Sequence, residues 1–352
     1  PFYYRQIDIL KEDLHLSMAV NPELAAANEI SRVLLFPETS KVETFMKGRV
    51  ELVEFNLRDE SPLTGLSLAE VYQKFQIKIL VCAVKRGGQV YIPDGDFVLQ
   101  KGDKMHIAAA HQDLETFFRS LGRKNARVKK VLICGGGHVC FYLAAQLLQA
   151  GMQVKIIESR QERCEQLCEA LPKATIIHGD AADHDLLMEE GIGEADAVIA
   201  LTGMDEENII MSLFAKTQGV NKIVAKVNED SRAQMVEGLG IDSIVSAKSA
   251  TADAIMSYVR ARNNSYSSAN VETMYRLLGG KVEAVEFIIK KECKFTNVPL
   301  KDLPTKANYL IACIGRKRKV IIPNGEDHLE VGDSVIVITK DHIINEFSDI
   351  LA

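Results

Sequence analysis

No stretch of this sequence is apolar for anything near the roughly 20 residues that a membrane-spanning helix needs. Runs such as 79–84 and 309–314 stop at six residues, which excludes a helical span. An excess of positive charge is also lacking. Forty-two Lys and Arg against 48 Asp and Glu leave a net charge of -6, which argues against a protein whose main work is neutralising nucleic-acid phosphates. Paired cysteine spacings are missing as well. Seven cysteines, irregularly placed and without a signal-like n-region and h-region, fit a reducing cytosol better than a disulfide framework. What is present is apolar residue in quantity: 47% of 352 positions, enough for two to three domains of about 150 residues, each with its own core.

An internal repeat organises the chain. Residues 48–55 read GRVELVEF and 280–287 read GKVEAVEF, identical at six of eight positions at an offset of 232. Downstream, Val90, Ile92, Pro93, Gly95, Leu99, Gly102 and Asp103 recur as Val320, Ile322, Pro323, Gly325, Leu329, Gly332 and Asp333 at an offset of 230, so a two-residue indel lies between the blocks. Upstream, 16–30 matches 241–255 more weakly. The unit is far longer than solenoid repeats of roughly 20 to 50 residues and reads as a duplicated pair of domains. Pro1 then corresponds to position 226, and the chain is expected to be a fragment lacking about 98 residues of the first copy's first domain.

In the second copy, short apolar runs at 128–133, 154–157, 174–177, 197–201, 222–227 and 243–245 alternate with helix-length segments. That rhythm predicts a parallel sheet, and the unbroken apolarity of the runs predicts helices on both faces. Residues 263–270 (NNSYSSAN) read as a polar linker. Beyond it, alternating strands bracketed by Pro-Asn-Gly at 323–325 and Val-Gly-Asp at 331–333 predict a small α+β module of about 75 residues, with its duplicate in the first copy. The expected fold is α/β: a Rossmann-like doubly wound parallel sheet, one complete copy and one C-terminal remnant, alternating with two small α+β domains. The expected boundaries are 1–44, 45–123, 127–263 and 270–352.

Ile133-Cys134-Gly135-Gly136-Gly137-His138-Val139-Cys140 falls where a first strand meets a first helix. Gly135 permits a tight turn, Gly137 lets backbone approach a phosphate, and the helix N-terminus offers free N–H groups. A bare turn with no ligand is the competing reading. Glu158 follows Gly137 by 21 residues, close to the roughly 20 at which a carboxylate accepts from ribose hydroxyls, and disfavours a 2'-phosphate. His138 could donate to a phosphate when protonated. Arg160 and Arg163 could swing toward one, or simply be solvated at a surface helix.

The runs GGGHVC, IIES at 156–159, HGDAADHDLLMEEGI at 178–192 and ADAVIALTGMDEENII at 195–210 resemble the TrkA family, cytosolic regulatory subunits of Trk-type potassium uptake systems built of KTN or RCK domains. The VEF, IPNG and GD blocks are similar to that family's C-terminal ligand-sensing domain, and the resemblance covers essentially the whole chain. It implies a nucleotide site of Gly135, Gly137, His138 and Val139 at the phosphates, with Glu158 and Ser159 at the ribose. Asp180 with Ala181 would lie beside the adenine, and Arg163 is expected in the nucleotide site. Thr202, Asp205 and Asn208 would form a T-x-x-D-x-x-N pattern, and Lys226 would stand where an arginine often lies near the phosphates. It implies NAD(H) or ATP/ADP as a regulatory ligand, with no catalytic or metal residues. The implied partner is a TrkH-like integral membrane potassium transporter subunit. The implied assembly is a homo-oligomeric dimer or tetramer ring, at the cytoplasmic face of the membrane and away from nucleic acid. Cys140 replaces the fingerprint's third glycine and is expected to hold its helix slightly off the strand.

Other chemistry is weaker. Cys164 and Cys168, at i and i+4 with His178 or His184 nearby, lack the compact paired spacing of structural zinc and read as partly buried thiols. Asp183 reads as an N-cap amid Asp180, His184 and Asp185. Arg316-Lys317-Arg318-Lys319 reads as a solvated hairpin, and Glu51, Glu54, Glu283 and Glu286 as exposed-face charge. An NAD-dependent oxidoreductase using the same loop needs a poised acid or base; no Tyr-x-x-x-Lys pair supplies one. A scaffold with an empty Rossmann fold accounts for Cys140 but not for Glu158.

Overall fold

The computed structural model describes residues 18–57, 61–122, 128–236, 239, 241–266, 271–306, 308–340, 344 and 346–351. The first two residues of the weak repeat at 16–30, and 267–270 of the expected linker, lie outside them. The chain divides into two compact units, residues 1–41 with 126–255 and residues 42–125 with 256–352.

The first helix, α1 (Pro22–Leu35), starts where Asn21 accepts the Leu24 N–H and Pro22 supplies a pre-set φ. It buries Ala26, Ala27, Ile30 and Leu34 on one face. A small lobe follows: β1 (Lys41–Phe45), β2 (Val50–Asn56), α2 (Leu68–Phe75), β3 (Ile79–Arg86), β4 (Gln89–Tyr91), β5 (Lys104–Ala109) and α3 (His111–Ser120), its sheet ordered β1-β2-β5-β3-β4.

Next comes the alternating segment: β6 (Lys130–Cys134), α4 (His138–Gln149), β7 (Gln153–Glu158), α5 (Gln161–Ala170), β8 (Thr175–His178), α6 (His184–Glu189), β9 (Ala197–Ala200), α7 (Asp205–Thr217), β10 (Lys222–Lys226), α8 (Asp230–Val236), β11 (Ser243–Val245) and α9 (Ala247–Tyr266). Its six strands are parallel in the order β11-β10-β9-β6-β7-β8, the doubly wound order in which the chain reverses direction across the sheet between β6 and β9. Successive residues of each strand feed opposite cores. Val131 and Ile133 pack under α1 and α4, whereas Leu132 and Cys134 pack under α6 and α7. Continuous apolarity was therefore the correct signal for two covered faces. Cys140 is fully buried in the first of these cores, and that burial pushes its thiol pKa well up. The alanines of α1 allow close approach to α4, fixed by hydrogen bonds from Asn21 to Tyr142 and from Gln146 to Asn28.

The last segment contains β12 (Val271–Leu277), β13 (Val282–Ile288), β14 (Tyr309–Arg316), β15 (Lys319–Ile321) and β16 (Ser334–Lys340), ordered β12-β13-β16-β14-β15. This second small lobe repeats the first down to the bulge, which falls between Val81 and Ala83 in β3 and between Ile311 and Cys313 in β14. The two-residue indel falls across α2. That helix has a reciprocal Ser67–Glu70 capping box, whereas its counterpart begins at Pro299, which offers no side-chain cap, and makes only a 3-10 turn at Leu300–Asp302. The two small sheets share one core inside their unit, with Phe45, Val50 and Leu52 packed among Val282, Ala284 and Ile338.

Three expectations are corrected. Helix α9 continues through Tyr266, so 263–266 are helical instead of linker. Glu51, Glu283 and Glu286 are buried. They meet His111 (2.9 Å), Arg276 (3.5 Å) and, for Glu286, the Met46 N–H (3.1 Å) and the Ser334 hydroxyl, while Glu54 lies against Lys104 and His106. Arg316 is no solvated residue: it clamps the buried carboxylate of Asp333 with two bonds of 3.0 and 2.8 Å, as Arg86 does Asp103. Only Lys317, Arg318 and Lys319 of that run are exposed.

Candidate nucleotide-binding site

The glycines after β6 are held for three different reasons. Gly135 has φ +102°, and a Cβ there would sit 2.9 Å from the Leu201 carbonyl carbon, so neither conformation nor space admits a side chain. At Gly136 a Cβ would lie 2.6 Å from Leu167 Cδ1 and 2.9 Å from Glu158 Oε2. At Gly137 it would meet nothing within 4 Å. The protein itself does not require a glycine at 137; the bare backbone there faces open space, at the N-cap of α4 where no side chain caps the first N–H groups.

Glu158 closes β7 with 6% of its surface exposed. One oxygen accepts the Gly136 N–H at 2.8 Å, and the other accepts the Arg160 N–H at 3.0 Å and its guanidinium at 3.2 Å. Burial pushes this carboxyl up, but the Arg160 and Gly136 donors outweigh it and hold the pKa below the ordinary value. Arg163 turns back from α5 and donates to the carbonyls of Gly136 (2.8 Å) and Gly137 (3.4 Å), so it braces the loop and is not merely solvated. His138 is exposed as the first residue of α4, and Val139 behind it is buried in the core.

Across the sheet, the Ser159 carbonyl meets His178 at 3.0 Å, Asp180 is exposed with its carboxylate on the Ala182 N–H, and Ala181 is buried. Thr202, Asp205 and Asn208 stitch strand ends together. The wholly buried Asn208 accepts from the Thr202 N–H (2.8 Å) and hydroxyl (2.9 Å) and donates to the Lys226 carbonyl (2.9 Å). Asp205 accepts from Asn228 and Glu229 N–H groups and faces Arg232. Burial opposes ionisation of Asp205, and these donors reverse it, leaving the pKa lowered. Its helix geometry makes this trio a frame for the loops; their polar atoms are already engaged. Lys226 is half-buried at the end of β10, with its pKa lowered by desolvation against the pull of Asp205 and Glu23. Its ammonium has no hydrogen-bond partner among the described residues.

All these positions lie at the carboxyl ends of the strands, where the crevice of a doubly wound sheet opens. A cavity of about 540 Å3 at the opposite end, lined by Lys130, Lys155 and Glu190 among others, lies at the amino ends of the strands, away from the loop glycines, and Lys155 is already bound to Glu190 at 2.8 Å. Among the described residues, no group of three possible metal ligands occurs. Cys164 is buried, Cys168 exposed, and His184 stacks on Phe214 at 4.3 Å. Asp183 caps α6, as its position suggested. Sequence reasoning missed the bracing role of Arg163 and the saturation of Asn208, because spacing gives neighbours along the chain but not hydrogen-bond partners across strands.

The TrkA-N domain model matches residues 131–247, and the TrkA-C domain model matches 52–122 and 284–352. The Trk system potassium uptake protein TrkA homolog of Archaeoglobus fulgidus is 30% identical over 350 residues, spanning 99% of this chain and 77% of the relative. TrkA of Halomonas elongata is 30% identical over 334 residues, 94% of this chain and 71% of its own. Among solved structures, the GsuK RCK domain aligns at 17% identity and TM-score 0.53 over 91% of this chain and 67% of its own. The GsuK channel bound to NAD aligns at 18% and 0.52, over 90% and 56%. These two likenesses concern the fold.

Proposed function

Because the chain belongs to the TrkA family of Trk potassium uptake proteins, and not to an enzyme family, we propose that it is a regulatory subunit that binds an adenine nucleotide and thereby gates a separate membrane transporter. The observation that carries this reading is the open space above Gly137, bounded by uncapped N–H groups of α4 and by an ionised Glu158. A side chain at 137 would fill the approach to the N–H groups and nothing else. The fully buried Cys140 lies beneath α4 and leaves that approach clear.

The ligand is NAD(H) or ATP/ADP. Its phosphates lie along Gly135, Gly137, His138 and Val139, with Lys226, which Asp205 and Glu23 attract, as a further cation. Glu158 takes the ribose hydroxyls beside Ser159, and Asp180 with Ala181 flanks the base. One Glu158 oxygen is filled by two Arg160 donors, but the other accepts only the Gly136 N–H and retains a lone pair for a ribose hydroxyl. A 2'-phosphate would meet that negative charge, which favours NAD over NADP. A fold neighbour, the GsuK channel, is described bound to NAD, in keeping with a nucleotide in such a crevice. Arg163 keeps the loop carbonyls turned away from the anion.

No helix among the described residues is long and apolar enough to cross a membrane, so potassium passes through a partner, a TrkH-like integral membrane subunit. The assembly is a homo-oligomeric ring, dimeric or tetrameric, at the cytoplasmic face. A ligand shifts such a ring only through unequal affinity for its shapes. Thermal unfolding with NAD+, NADH, ATP and ADP tests the site. A true ligand should stabilise the protein by about 2.7 kcal/mol at 100 times its dissociation constant. Glu158→Ala should remove that shift, and a flat response to every nucleotide would leave only the scaffold.

A further inference from the structure

The two small lobes meet at two junctions that the duplication makes equivalent. At one, the turn at residues 46–49 of the first lobe meets the β14–β15 hairpin of the second, where Arg49 Nη1 donates to the Lys317 carbonyl at 2.7 Å. At the other, Lys281 Nζ donates to the Gly88 carbonyl at 3.4 Å. The repeat pairs Arg49 with Lys281 and Lys317-Arg318-Lys319 with Gly87-Gly88-Gln89, so a long cation reaches the same hairpin tip in both.

The charge is not duplicated. The first junction gathers Lys47, Arg49, Lys317, Arg318 and Lys319, whereas the matching positions of the second hold Gly279, Lys281, Gly87, Gly88 and Gln89. Five cations stand against one over these turns. Lys47, Lys317, Arg318 and Lys319 are exposed, and none of the five has an ion-pair partner among the described residues. Backbone conformation argues against a merely structural origin: Lys47 and Lys317 sit at φ +58° and +56°, left-handed positions that disfavour a residue with a Cβ, and the other copy has Gly279 and Gly87 there. A cation kept where the turn prefers glycine serves something other than the turn.

Lys317 and Arg318 form the tip of a hairpin that closes with Arg316 opposite Lys319, a projecting shape that meets an extended surface rather than enclosing a small ion. Beside it, Arg316 holds Glu330 and Asp333, and between those two acids Val331 is 50% exposed where the first copy has Lys101. Cations flanked by a projecting apolar side chain match a bilayer of anionic headgroups, since each Lys or Arg near such a surface adds attraction and an apolar tip adds burial. A free phosphate would use neither the spread of charge nor Val331.

We propose that this junction, Lys47 and Arg49 with Lys317, Arg318 and Lys319, docks on the anionic phospholipid headgroups of a bilayer, with Val331 at its edge. The proposed membrane partner puts a bilayer within reach, and to that extent the contact rests on that reading; the contact itself needs neither transporter nor nucleotide.

Cosedimentation of the whole chain with vesicles of phosphatidylcholine containing about one third phosphatidylglycerol tests this, with pure phosphatidylcholine as the control. Partition into the anionic vesicles should exceed the control at least about tenfold and fall as salt screens the charges. Lys317→Gly with Arg318→Gly and Lys319→Gln, which installs the first copy's own turn, should cut it at least about tenfold without lowering the melting temperature, because glycine suits the left-handed position. Lys290→Gln with Lys291→Gln and Lys294→Gln removes the same charge from exposed positions elsewhere in the lobe and should change partition less than about twofold. Glycerol phosphate, a soluble headgroup, should not displace the protein at millimolar concentration. Equal partition into both vesicle types, equal losses from the two triple variants, or displacement by glycerol phosphate would each overturn the proposal, and the first and last of these need no variant to fold. Nucleotide-induced thermal shifts on the same proteins report the other site: vesicle binding absent while the shift persists overturns the lipid contact alone, and the reverse overturns the nucleotide reading alone.

Discussion

The three loop glycines separate structural from ligand-facing demands on a single backbone. Gly135→Ala forces a side chain into a left-handed conformation beside the Leu201 backbone, and urea titration should show a loss of about 2 kcal/mol or more. At Gly137 a Cβ meets no protein atom, so Gly137→Ala should cost no more than about 1 kcal/mol, the loss of a favoured N-cap residue, while the nucleotide-induced shift weakens. Equal destabilisation by the two would contradict the division. Glu158 adds a pH signature. Its folded pKa lies below the ordinary 4.5, so its contribution is fully present above that value and is lost as pH falls through the lower folded one. Between about pH 5 and that lower value the wild type should lose stability more steeply than Glu158→Gln; parallel profiles would mean that the loop N–H groups do not depend on the charge.

At the scale of strands and helices, the Arg316–Asp333 clamp joins β14 to the turn before β16, and Arg316 Nη2 also reaches the His328 carbonyl. Removing Arg316 leaves an almost wholly buried carboxylate without its cation, so Arg316→Ala should cost about 3 to 5 kcal/mol, read as a lowered denaturation midpoint. The paired turns were legible because Gly-Asp recurs at 102–103 and 332–333; their arginine partners were not, because Arg316 opens a run of four cations that reads as solvated. The parallel strands were legible because both faces are covered and apolarity is unbroken. Strand β12 went unforeseen: its apolar residues alternate with Glu272 and Arg276 directly after a polar stretch. For Glu51, Glu283 and Glu286, charge alone read as an exposed face, whereas the fold buries all three. Phosphate-loop glycines and Glu158 could be read because their role is local; Asn208 and Arg163 act across strands, where only the folded chain brings partners together.

On the scale of the whole molecule, the duplication was readable from two short blocks, whereas the merging of both small sheets into one core was not, since no sequence period records which faces meet. Phe45, Val50 and Leu52 are buried among residues more than 200 positions later in the chain. A chain ended after residue 255 should therefore leave an apolar sheet face uncovered, and light scattering should report aggregation that the whole chain does not show. A soluble, monodisperse shortened protein would count against the shared core. The same separation sets a schedule on synthesis. At about 5 to 20 residues per second, the first small lobe leaves the ribosome roughly ten seconds or more before the strands that will cover it. During that interval the nascent protein carries an unguarded sticky surface, and it is a natural client for whatever chaperone waits at the exit tunnel.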